Sequence, residues 1–176
     1  YRAVRNRGTV GGSLSPADPA ADWVAALSAL GAKLTLRSLA GARVVTMEDF
    51  IVGALESVLR AGEIVETIHV PAVPASAHWG YVKSCRKTGE FAHAIAAVLI
   101  DPSAATARIV IGAIDAAPIV IANAAELFGG SIAGDYKDRF DPRVADALLA
   151  KAGVSSAAHR HIHVSVLKRA VSEAAA

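Results

Sequence analysis

Cysteine is almost missing from this chain. Cys85 is the only one among 176 residues. One thiol excludes an internal disulfide framework and any metal or iron–sulfur site built from a cysteine cluster. It fits a reducing compartment, and a small buried thiol with no paired base reads as inert. Aromatic residues make up only 5% of the chain, against 53% hydrophobic residues overall. The expected core is therefore large but packed from alanine, valine, isoleucine and leucine. Neither sign of charge dominates: 18 Lys and Arg face 16 Asp and Glu, for a formal net charge of +2. Basic residues form no long stripe, which argues against nucleic-acid binding. The most apolar region, residues 107–125, is interrupted by Arg108, Asp115 and Pro118 and is too short to span a bilayer. There is no leading apolar run of a signal peptide. A cytoplasmic protein without a membrane span is the expectation. Walker A, G-x-G-x-x-G and G-x-S-x-G motifs are also absent.

What is present is concentrated at the start. Residues 4–22 read V-R-N-R-G-T-V-G-G-S-L-S-P-A-D-P-A-A-D. Three glycines in five residues allow close approach of a ligand and backbone with φ > 0. Thr9 and Ser13 add hydroxyls, and a helix is expected next. Exposed N–H groups beside a helix N-terminus suit an anion such as a diphosphate. Arg2, Arg5 and Arg7 either face phosphates or a partner, or are simply solvated.

Asp18 as N-cap and Pro19 as first residue predict a helix over about 19–30, closed by Gly31, with Trp23, Leu27 and Leu30 on its apolar face. A hairpin follows, pairing residues 33–37 with 41–45, then a short helix capped at Thr46 and a strand over 63–71. The P-A-V-P-A-S-A stretch at 71–77 disfavours helix and central strand and marks a domain junction. Units 1–72 and 78–176 are expected. The second unit reads as three strands, 79–86, 92–100 and 107–113, with short turns and hence antiparallel. Helices over about 121–128, 142–152 and 157–173 follow, with Ala174–Ala176 frayed. The order is that of an α+β fold.

The string R-N-R-G-T-V-G-G-S-L-x-x-A-D-P-A-A-D resembles the second flavin-binding segment of the FAD-binding medium subunit of molybdenum hydroxylases, the carbon monoxide dehydrogenase and xanthine dehydrogenase type. The likeness is strong over 4–22, fair over 62–99 and weak after about 115. It implies the second lobe of a PCMH-type FAD-binding domain, followed by a C-terminal three-stranded antiparallel sheet with packed helices. It also implies that about a hundred residues carrying another glycine-rich segment precede this one in the family. With Tyr1 in place of methionine, a piece of a longer chain is expected.

By the same resemblance, Thr9, Val10, Gly11, Gly12 and Ser13 wrap the flavin, and Asp22 holds its ribityl or ring region. Val65 lies against the ring, and Lys83 reaches the pyrimidine edge. From the residues alone, Asp22 is equally a solvated first-turn carboxylate, Lys83 a water-facing strand lysine and Val65 a core residue. Tyr81 reads as a packing residue. Pro16 departs from the pattern, because many relatives have histidine or threonine there and proline offers neither donor. The implied function is electron transfer from [2Fe–2S] clusters of a small subunit, fed by molybdopterin in a large subunit, through FAD to an external acceptor. Alternatives are a flavin-less interaction module, a covalent-flavin oxidase, and a nucleotide-binding domain using the Gly8–Ser13 loop. His159 and His163 stand four apart at helical spacing, but with no carboxylate to complete a metal site. Substrate, acceptor and oligomeric state are not encoded in any motif.

Overall fold

In the computed structural model, which describes residues 2–175, the glycine-rich start folds into short helices, not an open loop. Helix α1 (Arg2–Arg7) is fully exposed. Helix α2 (Val10–Leu14) follows, with Thr9 as its N-cap: the Thr9 hydroxyl oxygen accepts from the Gly12 N–H at 2.9 Å. None of Gly8, Gly11 and Gly12 uses a positive φ. Their freedom to take left-handed backbone is not used here; these glycines serve close approach. A Cβ on Gly11 would meet the Val65 carbonyl oxygen at 3.4 Å, and one on Gly12 would meet the Thr9 hydroxyl oxygen at 2.8 Å.

Helix α3 (Asp22–Ala29) begins three residues later than its sequence signals suggest. The Asp18 carboxylate accepts from the Ala20 N–H, two residues on, at 2.8 Å. The Pro19 carbonyl accepts from the Ala113 N–H at 2.8 Å. Both groups are committed to a turn and to a neighbouring strand end, so the helix starts only at Asp22. Its phase differs accordingly. Trp23 is 46% exposed, while Val24, Ala25, Leu27 and Ala29 are buried.

Strands β1 (Lys33–Ser38) and β2 (Gly41–Thr46) form the expected hairpin. Helix α4 (Met47–Phe50) is capped by Thr46, whose hydroxyl oxygen accepts from the Asp49 N–H. Strands β3 (Ile51–Gly53) and β4 (Glu56–Ser57) pair as a small ribbon. Strand β5 (Ile64–His69) joins the hairpin in a sheet of order β2-β1-β5, with a bulge between Thr35 and Leu36. Residues 70–77 carry neither helix nor strand.

A second, antiparallel sheet follows: β6 (His78–Ser84), β7 (Ala94–Asp101), β8 (Thr106–Gly112) and β9 (Ile119–Ile121), in that order. The α+β organisation holds, but the sheet has four strands where three were expected. Residues 119–121 are β-branched, follow Pro118, and pair with Ile109–Ile111. This removes the helix expected over 121–128. Only a 3₁₀ turn, Ala125–Phe128, forms there, closed by Gly129 at φ 70°. Helix α6 (Ala157–Ala174) packs on one face of the sheet, and α5 (Pro142–Lys151) packs against α6 in the same core. Fraying at Ala174 is corrected: it is 2% exposed, and its carbonyl accepts from the Tyr136 hydroxyl at 2.7 Å. Ala176 lies outside the described residues. Among the described residues no helix is long and apolar enough to cross a membrane.

The other face of the four-stranded sheet is covered by α3. Ala25 and Ala29 pack on Ile95, Ala97 and Val110. Val24 and Leu27, on the remaining side of the same helix, belong to the core under the first sheet.

Candidate functional site

The residues singled out in the sequence fall into two groups. The first is built by α2 and β5. Gly11 lets α2 lie directly on the β5 backbone at Val65, and Val65 is half-buried there. The Thr9 cap and the Ser15 hydroxyl, which donates to the Gly11 carbonyl at 2.8 Å, hold the turn. Sequence reasoning missed Ser15. Thr9 and Gly12 stay exposed, Val10 and Ser13 partly so. The Val10 and Gly11 N–H groups stand in the first helical turn, where no intrahelical acceptor exists.

The second group joins α3 to β6. Lys83 donates through Nζ to both Asp22 carboxylate oxygens, at 2.9 and 2.8 Å. The Tyr81 hydroxyl donates to Asp22 Oδ1 at 2.6 Å. Asp22 and Lys83 are 61 residues apart in sequence, and the fold makes them an ion pair. Alternation along β6 puts Trp79, Tyr81 and Lys83 on one face. The Trp79 and Tyr81 rings stack with centroids 6.4 Å apart. Tyr81 was read as a packing residue; it packs and also binds Asp22. The W-x-Y-x-K spacing carried that signal. Burial, and then the Asp22 carboxylate, keep the Tyr81 hydroxyl protonated well above the ordinary phenol range. Asp22 is thus neither free nor merely at a helix dipole, and Lys83 does not simply face water.

Among the described residues no hydrogen bond connects the Thr9–Ser13 turn with Asp22 or Lys83. Pro16 is exposed and contributes no donor. No group of three or more His, Cys, Asp or Glu suited to a metal occurs among the described residues.

Both groups keep donors free for an acceptor. Lys83 spends two of its three protons on Asp22 and keeps one for an acceptor. A Cβ on Gly12 would meet nothing but the Thr9 hydroxyl, so bare backbone faces outward there.

Residues 1–73 match the family described as the FAD binding domain in molybdopterin dehydrogenase. The chain is 35% identical over 112 residues to the nicotine 6-hydroxylase medium subunit of Paenarthrobacter nicotinovorans, covering 62% of this chain and 39% of that protein. It is 37% identical over 103 residues to the carbon monoxide dehydrogenase medium chain of Hydrogenophaga pseudoflava, covering 58% and 36%. In structure it is similar to carbon monoxide dehydrogenase from Hydrogenophaga pseudoflava, with TM-score 0.81 and 29% identity over 99% of this chain and 63% of that one. Quinoline 2-oxidoreductase from Pseudomonas putida 86 gives TM-score 0.77 and 30% identity, with the same coverage. The chain spans about two fifths of the length of the curated relatives it matches. Residues 1–73 thus match an FAD-binding domain, and in sequence and fold the chain is similar to the medium chains of molybdenum hydroxylases such as carbon monoxide dehydrogenase.

Proposed function

We propose that this chain forms part of the flavin site of an electron-transfer subunit in a cytoplasmic dehydrogenase complex. The observation that carries the proposal is the meeting of Asp22 at the start of α3 with Lys83 of β6, at positions the family likeness assigns to flavin contact. FAD, when bound, supplies the redox chemistry. The chain supplies binding and electrostatics. Thr9, Val10, Gly11, Gly12 and Ser13 offer backbone and hydroxyl groups to the cofactor, with Val65 behind them. Asp22 orients Lys83, and Tyr81 orients Asp22. The remaining Lys83 proton favours added negative charge at the pyrimidine edge, which raises the flavin potential. A small iron–sulfur subunit and a large molybdopterin subunit are the proposed partners. The proposed units are 1–72 and 78–176, joined at 71–77.

The test is the visible spectrum of the purified chain. A flavin band, lost on Gly12→Val, is the expected result. In that variant a branched side chain would displace the Thr9 cap and close the exposed backbone. Lys83→Ala should lower the potential of retained flavin. A colourless chain that binds no added FAD yet still associates with partner subunits would favour an interaction module instead.

A further inference from the structure

A cleft lies apart from the Asp22–Lys83 cluster. The segment before β7, the turn after β8 and the connection from α5 to α6 enclose about 360 Å³, a volume suited to a small ligand. Helix α6 starts at its edge. Ser156 caps the helix, its hydroxyl oxygen accepting from the His159 N–H at 3.3 Å. The Ala157 and Ala158 N–H groups, in the first turn of this 18-residue helix, have no intrahelical acceptor. The acceptors of the preceding turn are already taken. Arg160 Nη1 donates to the carbonyls of Val154 and Ser155, at 3.0 and 2.8 Å, and its Nε donates to Asp146 at 2.9 Å. Donors therefore remain at this edge while the nearby carbonyls are spent.

The independent observation is His163. It stands four residues after His159, lines the cleft, and is only 3% exposed. Its Nδ1 is buried with no hydrogen-bond partner. Such an orphan is costly unless something completes it. Burial, then His159, lower its pKa and favour the neutral ring, which still carries one N–H donor. His93 and His159 also line the cleft, together with the exposed carboxylate of Asp115. Ile114, Val154 and Ile162 supply an apolar wall.

We propose that this cleft binds a small organic oxyanion, a carboxylate or phosphate on an apolar body. The oxyanion sits at the first turn of α6 beside His163, and the body lies against Ile114, Val154 and Ile162. Helix N-termini attract such groups through their free N–H groups and the aligned peptide dipoles.

The test titrates the 176-residue chain with inorganic phosphate, phenyl phosphate and benzoate, following the histidine ring protons by NMR. Saturable shifts of His93, His159 and His163 are expected. At least one ring-bearing probe should bind about tenfold more tightly than inorganic phosphate, for burial of its ring. Which of the two does so identifies the oxyanion. Ala157→Pro removes one donor at a position where proline is tolerated and should weaken binding about tenfold. His163→Leu should also weaken it, with the fold kept because an unpartnered buried ring is replaced by an apolar group. No saturation by any probe would overturn the proposal. So would equal affinity for phosphate and both ring-bearing probes, or binding that survives both substitutions unchanged. Should His163→Leu fail to fold, Ala157→Pro decides alone.

Discussion

At the scale of single residues, the Asp22 cluster is defined by how its protons are shared. Asp22 accepts from Tyr81 and from Lys83, and the cluster is half open to solvent, with side-chain exposures of 53% for Asp22 and 41% for Lys83. An exposed ion pair contributes little on its own. The Tyr81 hydrogen bond is shorter and better shielded. Tyr81→Phe should therefore destabilise the chain by about 1 kcal/mol, and Asp22→Asn by no more. A double-mutant cycle read by urea midpoints should give a coupling energy clearly above zero; additive effects would mean that the hydroxyl and carboxylate act separately. A different pair contributes to the acid limit. Arg43 donates to both Glu63 oxygens at 2.8 Å and to the Val58 carbonyl at 2.7 Å. The Arg43 hydrogen bonds, helped by the Arg60 N–H, lower the Glu63 pKa to about 2. A depressed carboxylate stabilises the fold above its unfolded value and loses that contribution as pH falls through the folded one. Thermal stability should thus decline between about pH 4.5 and pH 2, and Glu63→Gln should flatten that stretch of the curve.

At the scale of elements, some of the fold was legible and some was not, for local reasons. The β1–β2 hairpin, the Thr46 cap and α5 behind Asp141-Pro142 follow from signals within a few residues. The late start of α3 and the extra strand β9 do not. The first depends on a hydrogen bond from Ala113 to Pro19 across more than ninety residues, and the second on pairing with β8. Glycines of the site were legible as important but not in role, because their value lies in what touches them. Gly80 shows the same thing inside an element. It sits in the middle of β6, where a strand glycine weakens packing unless something approaches closely. Here that something is α6. A Cβ on Gly80 would lie 1.9 Å from the Ala170 carbonyl oxygen. Because the obstacle is backbone, Gly80→Ala must push helix from sheet. A loss of about 3 kcal/mol is expected, measured by urea unfolding. A loss under 0.5 kcal/mol, the range of a neutral surface change, would mean that α6 is not held there.

At the scale of the whole molecule, the question is whether the proposed junction at 71–77 separates two independently folding units. Sequence composition favours separation, since that stretch carries no helix or strand. The packing favours unity. Helix α3 gives Val24 and Leu27 to the core of the first sheet, and Ala25 and Ala29 to the second. Arg108 of β8 donates to the Ser28 carbonyl at 2.8 Å and also pairs with Glu48. Asp22 is held by two β6 residues. A helix shared between two cores cannot leave one without exposing the other. The chain should therefore unfold in one calorimetric transition, with calorimetric and van't Hoff enthalpies equal. Ala29→Leu tests the cause. Ala29 is fully buried between α3 and the sheet, so the added bulk should overpack that contact and lower the whole transition by about 5 °C. Two resolved transitions, with only one displaced by the substitution, would instead show that the junction divides the chain and that α3 is merely docked on the second sheet.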